Sequence, residues 1–239
     1  MGRVERMINL VKVNEVTRSA ATYEDVAKIV KEVGILPLSS FIPDHPSLES
    51  VTTHEQWHTG LETDPWLWRD RLPGDGLAAY GRFFAKKPLL ISAELFPLVK
   101  NLLEEPYSVE ERYEDGQLPK SAVELFQAVE ANEGIDVKEL RAVTGMKAKE
   151  SKNEFDRALI ELQSKTDIVI AGISERLNAN GTKNGWNSTC YMTALHWMEL
   201  HGLKVNALPT PEAKGQFRTY IQERYSTAAA QYLGKIFKL

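Results

Sequence analysis

Between Lys120 and Tyr191 the chain runs through two helical patterns, a short turn, a third helical pattern and a long polar-tipped hairpin. Val123, Leu125, Phe126 and Val129 recur at helical spacing between Pro119 and Gly134, which predicts a first helix from Ser121 to Asn132. Asp136 is placed to accept backbone N–H groups as an N-cap, with Glu139 three residues on as its reciprocal partner. This second helix stops at Gly145. In a third helix, Ser151 to Lys165, Phe155, Leu159 and Leu162 share one face, leaving a polar start free to meet a partner. Ile168 to Ile170 reads as a short buried strand. Asn178 to Gly185 is dense in residues that tolerate positive φ, so it reads as a hairpin tip, with Trp186, Thr189, Cys190 and Tyr191 on the returning strand. A last helix is expected near Ala194 to Glu199. Such an order is that of a winged helix, which presents one helix and one β-ribbon to a duplex.

At 239 residues the chain can bury a sizeable core, as one large domain or two small ones. Two is the reading: a winged-helix-like module over 1–104, an acidic linker over 105–118, a winged-helix module over 119–200 and a helical tail over 201–239. The linker assignment rests on Glu104, Glu105, Glu110, Glu111, Glu114 and Asp115, which suit a solvated segment. No apolar run approaches the roughly 20 residues that span a bilayer, and the amino terminus has no secretory apolar core, so a cytoplasmic protein without membrane contact is expected. A single cysteine excludes an intramolecular disulfide. The net charge of −4 argues against indiscriminate coating of nucleic acid, since that affinity comes from neutralised phosphates. A local basic face is still compatible with it.

In the amino-terminal half, Thr22 caps a predicted helix from Tyr23 to Val33 that Gly34 ends. Pro37, Pro43 and Pro46 predict irregular chain. Short helices are expected over Thr53 to His58 and Asp64 to Arg71, the second opened by Asp64 and Pro65. Ala79 to Phe84, the Lys86-Lys87-Pro88 turn and Leu89 to Ile91 form a predicted hairpin, followed by a helix from Ser92. Both halves thus close on a hairpin and a helix. Fold class is therefore α+β, helix-rich, with tandem winged-helix-like modules and β-hairpin wings.

Several side chains invite chemistry. Trp57, Trp66, Trp68, Tyr80, Phe83 and Phe84 either form a pocket that stacks a base or make the core of a small domain, since each ring buries a large area. His54 and His58 sit in a His-Glu-x-x-His string, but the proline-rich surroundings and the missing third ligand favour surface histidines over a metal site, and neither metal nor cofactor is expected. Asp64, Asp70 and Asp75 are carboxylates able in principle to activate water; Asp64 is more simply a helix cap. Gly74-Asp75-Gly76 lacks the ending of a phosphate loop. Candidates for contact with double-stranded DNA are Lys147, Lys149, Lys152, Asn153 and Arg157 around the third helix. Arg176, Asn178, Asn180, Lys183 and Asn184 join them on the wing, and Arg82, Lys86 and Lys87 on the first hairpin.

Asp64-Pro-Trp-Leu-Trp-Arg69, Ala79-Tyr-Gly-Arg-Phe-Phe84, Phe96-Pro97, Gly185-Trp186 and Tyr191-x-Thr193 together resemble the AlkZ-related winged-helix proteins, over most of Tyr23 to Met198. These are bacterial relatives of the AlkZ-like glycosylases, whose tandem winged helices hold DNA while a damaged or crosslinked base is excised. The glycosylase branch carries a glutamine-x-glutamine or glutamine-x-aspartate motif. Gln56, Gln117, Gln127, Gln163, Gln216, Gln222 and Gln231 all fail that spacing, so no catalytic residue carries over. The resemblance implies the scaffold and DNA contact, in repair or resistance. Alternatives are an active glycosylase using another carboxylate, and a transcriptional or protein-interaction module. Residues 211–239 are expected to form a terminal helix and a small-residue segment that covers the core or pairs with a second copy as a homodimer.

Overall fold

A computed structural model of the chain describes residues 19–174, 187–204 and 207–239. Its first element, α1 (Tyr23–Val33), is set by local signals. Thr22 accepts from the Asp25 amide while the Asp25 side chain returns the bond, and Val26, Ile29, Val30 and Val33 turn inward. Gly34 ends the helix at φ 79°, a conformation that glycine adopts without a Cβ penalty.

There follow β1 (Ile35–Pro37), α2 (Leu48–Val51), α3 (Pro65–Gly74), β2 (Ala78–Gly81), β3 (Leu89–Ser92) and α4 (Phe96–Leu103). After α5 (Val109–Glu114) come α6 (Lys120–Ala131), β4 (Ile135–Asp136), α7 (Val137–Val143), α8 (Lys152–Ser164), β5 (Ile168–Ser174) and β6 (Ser188–Thr193). The chain closes with α9 (Ala194–Leu200), α10 (Thr210–Arg224) and α11 (Thr227–Ile236). Thus α1-β1-α2-α3-β2-β3 and α6-β4-α7-α8-β5-β6 run in the same order: helix, strand, two helices, two strands. Among the described residues the six strands join one antiparallel sheet in the order β1-β3-β2-β5-β6-β4, so each half contributes three neighbours, mirrored about the centre. The halves meet where Tyr80 of β2 pairs with Ile170 of β5. Just beyond, a bulge between Ile170 and Gly172 bends β5, with Gly172 at φ 134°.

The helix-rich α+β class expected from the sequence is the observed one. Several local expectations change, among them the helix expected from Ser92, a residue that ends β3 while α4 starts at Phe96. Pro37 lies within a strand, which is permitted because β1 is an edge where a missing N–H goes unnoticed. Thr53 to His58 is not a helix but a three-residue 3-10 turn, His54–Gln56, stopped by extended Trp57 and by His58 at φ 62°. The acidic 105–118 segment is not wholly a solvated linker. Ser108 and Glu111 form a capping box that starts α5, and Arg112 turns inward to the Asp167 carboxylate at 2.6 Å. The carboxy-terminal stretch forms two helices rather than one. Ser226 restarts the chain as the cap of α11, while the Tyr225 hydroxyl donates to the Val33 carbonyl at 2.7 Å. Phe237 packs on Phe84 with ring centroids 5.4 Å apart, so the tail covers the core of the amino-terminal half. The apolar core extends from Ala20 to Phe237 across both halves. Among the described residues no helix is long and apolar enough to cross a membrane.

Candidate functional site

A cleft of about 680 Å³ opens where the halves join. Its floor carries Tyr80 of β2, Ile170 of β5 and Thr189 and Tyr191 of β6, including both residues of the pair that unites the sheet. One wall is α8, through Asp156, Leu159, Ile160 and Gln163; these positions recur at three- and four-residue steps and so share a helix face. His54, Trp57, His58, Trp66, Arg69 and Asp70 make the other wall. The cleft is thus built from sequence-distant pieces held over the centre of one sheet.

The wall around α3 is positioned by Asp64. Its carboxylate accepts from the amides of His58, Gly60 and Trp66 at 3.0, 2.9 and 2.9 Å, which caps α3 and draws the preceding loop onto it. Three residues beyond Trp66, Arg69 lies over the indole with its guanidinium carbon 3.2 Å from the ring centroid, and 5.9 Å from the Tyr80 ring. Arg69 Nε stands 3.2 Å from Asp70 Oδ1 without the alignment of a hydrogen bond. Burial pushes the Asp70 carboxyl above its ordinary range, and Arg69 opposes that rise. Burial likewise raises the phenols of Tyr80 and Tyr191, so both stay protonated at neutral pH. Across the cleft, Gln163 accepts from the Arg82 amide at 3.0 Å and donates to the Leu159 carbonyl at 3.0 Å. This side chain, almost wholly buried, ties α8 to the β2–β3 hairpin.

The six aromatics read as a base pocket divide. Trp57, Trp66 and Tyr80 line the cleft. Trp68, Phe83 and Phe84 do not: they are 2%, 1% and 5% exposed and belong to the core. Trp68 donates to the Glu62 carbonyl, Phe83 packs on Phe96, and Phe84 meets Phe41 and Phe237. Ring burial separates the two groups, and it depends on neighbours remote in sequence.

Lys147, Lys149, Lys152, Asn153 and Arg157 are all exposed, as are Arg82, Lys86 and Lys87. Lys152 precedes Asp156, which lines the cleft, by four residues and so lies one turn from it on the same helix face. Arg82 and Pro88, at the two ends of the hairpin turn that carries Lys86 and Lys87, line the cleft. Arg176, Asn178, Asn180, Lys183 and Asn184 lie outside the described residues.

His54 and His58 both face the cleft but share no helix, and the described residues hold no group of three or more metal-ligating side chains. Asp75 is occupied structurally, accepting from the Tyr23 hydroxyl at 2.7 Å and from Arg71 Nε at 3.1 Å. Sequence reasoning did not single out Arg69, Asp156 or Tyr191 as site residues. Two of them carried a usable signal, Arg69 one helical turn beyond Trp66 and Asp156 in phase with Ile160 and Gln163.

No curated protein and no solved structure shows a significant match to the chain. The family described as AlkZ related matches residues 20–238, nearly the whole chain and all of the cleft. The chain therefore belongs to the AlkZ-related family.

Proposed function

We propose that this protein is a cytoplasmic DNA-binding protein of tandem winged-helix type, acting in DNA repair or resistance, whose central cleft receives a base drawn out of the duplex. The repeated order of helix, strand, two helices and two strands supports the winged-helix reading. The observation that carries the function is the cleft itself: about 680 Å³, aromatic on one wall, with the exposed Arg82 among its lining residues. In this reading Lys152, Arg157, Arg82, Lys86 and Lys87 hold phosphates. Asp156, Leu159, Ile160 and Gln163 face the cleft, so the face of α8 turned toward it serves the cleft rather than a major groove.

Fluorescence anisotropy with plain, abasic-site and alkylated duplexes across salt concentrations tests this. Binding that weakens with salt and fails in Lys152→Glu/Arg82→Glu supports it; no binding to any duplex at low salt refutes it and points to a protein-contact scaffold.

One observation favours a second reading, a glycosylase: the carboxylates of Asp70 and Asp156 line the same cleft. A carboxylate there would take a proton from water as the oxygen bonds to C1′ of the sugar, while the bond from C1′ to the base breaks and the base leaves with the pair. Release of a base from alkylated duplex, lost in Asp70→Asn, would establish it.

A further inference from the structure

The rim of the cleft carries three flat rings that its interior does not need. Trp57 and Trp66 are half-buried and His58 is exposed, with His58 4.6 Å and Trp57 6.4 Å from Trp66 between ring centroids. Each ring is fixed from behind. Trp57 Nε1 donates to Thr52 Oγ1 at 2.9 Å, Trp66 rests on Arg69, and the amide of His58 is held by Asp64. His58 also adopts φ 62°, a left-handed conformation that non-glycine residues rarely take and that recurs at ligand clamps. The backbone is thus strained at the residue that sets an imidazole against the Trp66 indole.

Rings held this way present faces and edges to solvent, which gain little until something flat covers them. Arg82 lines the cleft, Lys86 and Lys87 are exposed on the same hairpin turn, and Lys152 is exposed one helical turn before Asp156, which adds a demand for negative charge. A ligand that offers flat faces and regularly spaced anions together is a polynucleotide, and within a duplex those faces are already covered by neighbouring base pairs.

We propose that the rim binds unpaired DNA, with successive bases stacking on Trp57, His58 and Trp66 and the backbone running past the hairpin turn and Lys152. This rests on the DNA-binding reading above and adds to it the state of the strand. Glu49 and Asp156 also line the cleft and oppose phosphates, so the contact is one of stacking more than of charge. With at most four cations engaged, the logarithm of affinity should fall with the logarithm of salt at a slope no steeper than about −3.

The test compares one 12-nucleotide sequence as a single strand, as a duplex, and within a longer duplex carrying a central unpaired bubble. Anisotropy is read together with intrinsic tryptophan emission. Single strand and bubble should bind about tenfold tighter than duplex and quench emission. Trp57→Leu/Trp66→Leu should abolish most of the quench, because Trp68 and Trp197 are sealed in the core. Stacking on one aromatic side chain corresponds to a loss of about tenfold on its removal. His58→Gly provides the variant that will fold, since glycine accepts φ 62° freely. It should weaken single-strand binding by a similar factor and duplex binding by clearly less. Equal or tighter duplex binding without quenching overturns the inference and leaves the DNA-binding reading standing. Failure to bind any of the three overturns both.

Discussion

Replacing Arg112 by Met should be among the most damaging single changes outside the central apolar core. Arg112 is 2% exposed and donates from Nη2 to Asp167 Oδ1 at 2.6 Å, joining the acidic segment to the start of β5. Its Nη1 and the second Asp167 oxygen are both buried without partners, so the pair is imperfectly satisfied even when intact. Removing one member of a buried pair strands the other, at a cost of about 3–5 kcal/mol. Lys100 and Lys165 also act on Asp167 and soften the loss, which places the expectation near 3 kcal/mol. For a chain of this length that corresponds to a fall in Tm on the order of 10 °C. The Asp167 carboxyl already sits above its ordinary 3.8, because burial outweighs its partners. Without Arg112 it climbs further, so the folded variant binds a proton that the unfolded chain releases. Stability gained by that proton is full below 3.8 and is lost as pH rises through the folded value. The deficit against the parent should therefore be largest near pH 7 and shrink toward pH 4. Urea unfolding at both pH values measures this, with Arg112→Met/Asp167→Leu as control. The double variant should return to within about 1 kcal/mol of the parent, since an apolar pair of similar volume strands no charge. A loss below about 1 kcal/mol in Arg112→Met, or strictly additive losses in the double variant, would refute the reasoning.

Three further outcomes follow from other parts of the molecule. His45 is buried against Tyr225 and donates from Nε2 to the Ile35 carbonyl, and burial holds it down to about 4, so its imidazole should stay neutral through pH 5 in an NMR titration. The unfolded chain takes up that proton first, so stability present above pH 6.5 is lost as pH falls toward 4, by roughly 3 kcal/mol in all; titration of every histidine near 6.5 would contradict this. Gly34→Ala sets a side chain at φ 79° where a Cβ would overlap the Tyr220 hydroxyl, and should cost about 2 kcal/mol by denaturant midpoint. Gln163→Leu leaves the Arg82 amide without its acceptor, and should cost about 1 kcal/mol and weaken any ligand of the cleft by loosening α8 from the hairpin.

Much of the helical framework was legible in the sequence because its signals are local. Thr22 with Asp25, Asp64 before Pro65, and Asp136 before Val137 each start a helix as expected, since a cap needs only groups two or three residues away. The family was legible through short motifs such as Asp64 to Arg69, whose residues turn out to cap α3 and line the cleft. The candidate site was legible only in part. Trp66 and Trp68 lie two apart on one helix and point in different directions, one to the cleft and one to the core, and neither composition nor period distinguishes them. The fate of Pro37 depended on β1 lying at a sheet edge, and that of Arg112 on Asp167 arriving from 55 residues away.

Spacing and capping residues by themselves determined where most helices begin and end and which faces turn inward. Only the tertiary structure decided what those faces meet: one sheet joined at Tyr80 and Ile170, and a cleft assembled over that seam from α3, α8 and a hairpin. The physical reason is range. Helix propensity and capping act within a turn, whereas burial, ion pairing and the walls of a cavity are made by residues that only folding brings together.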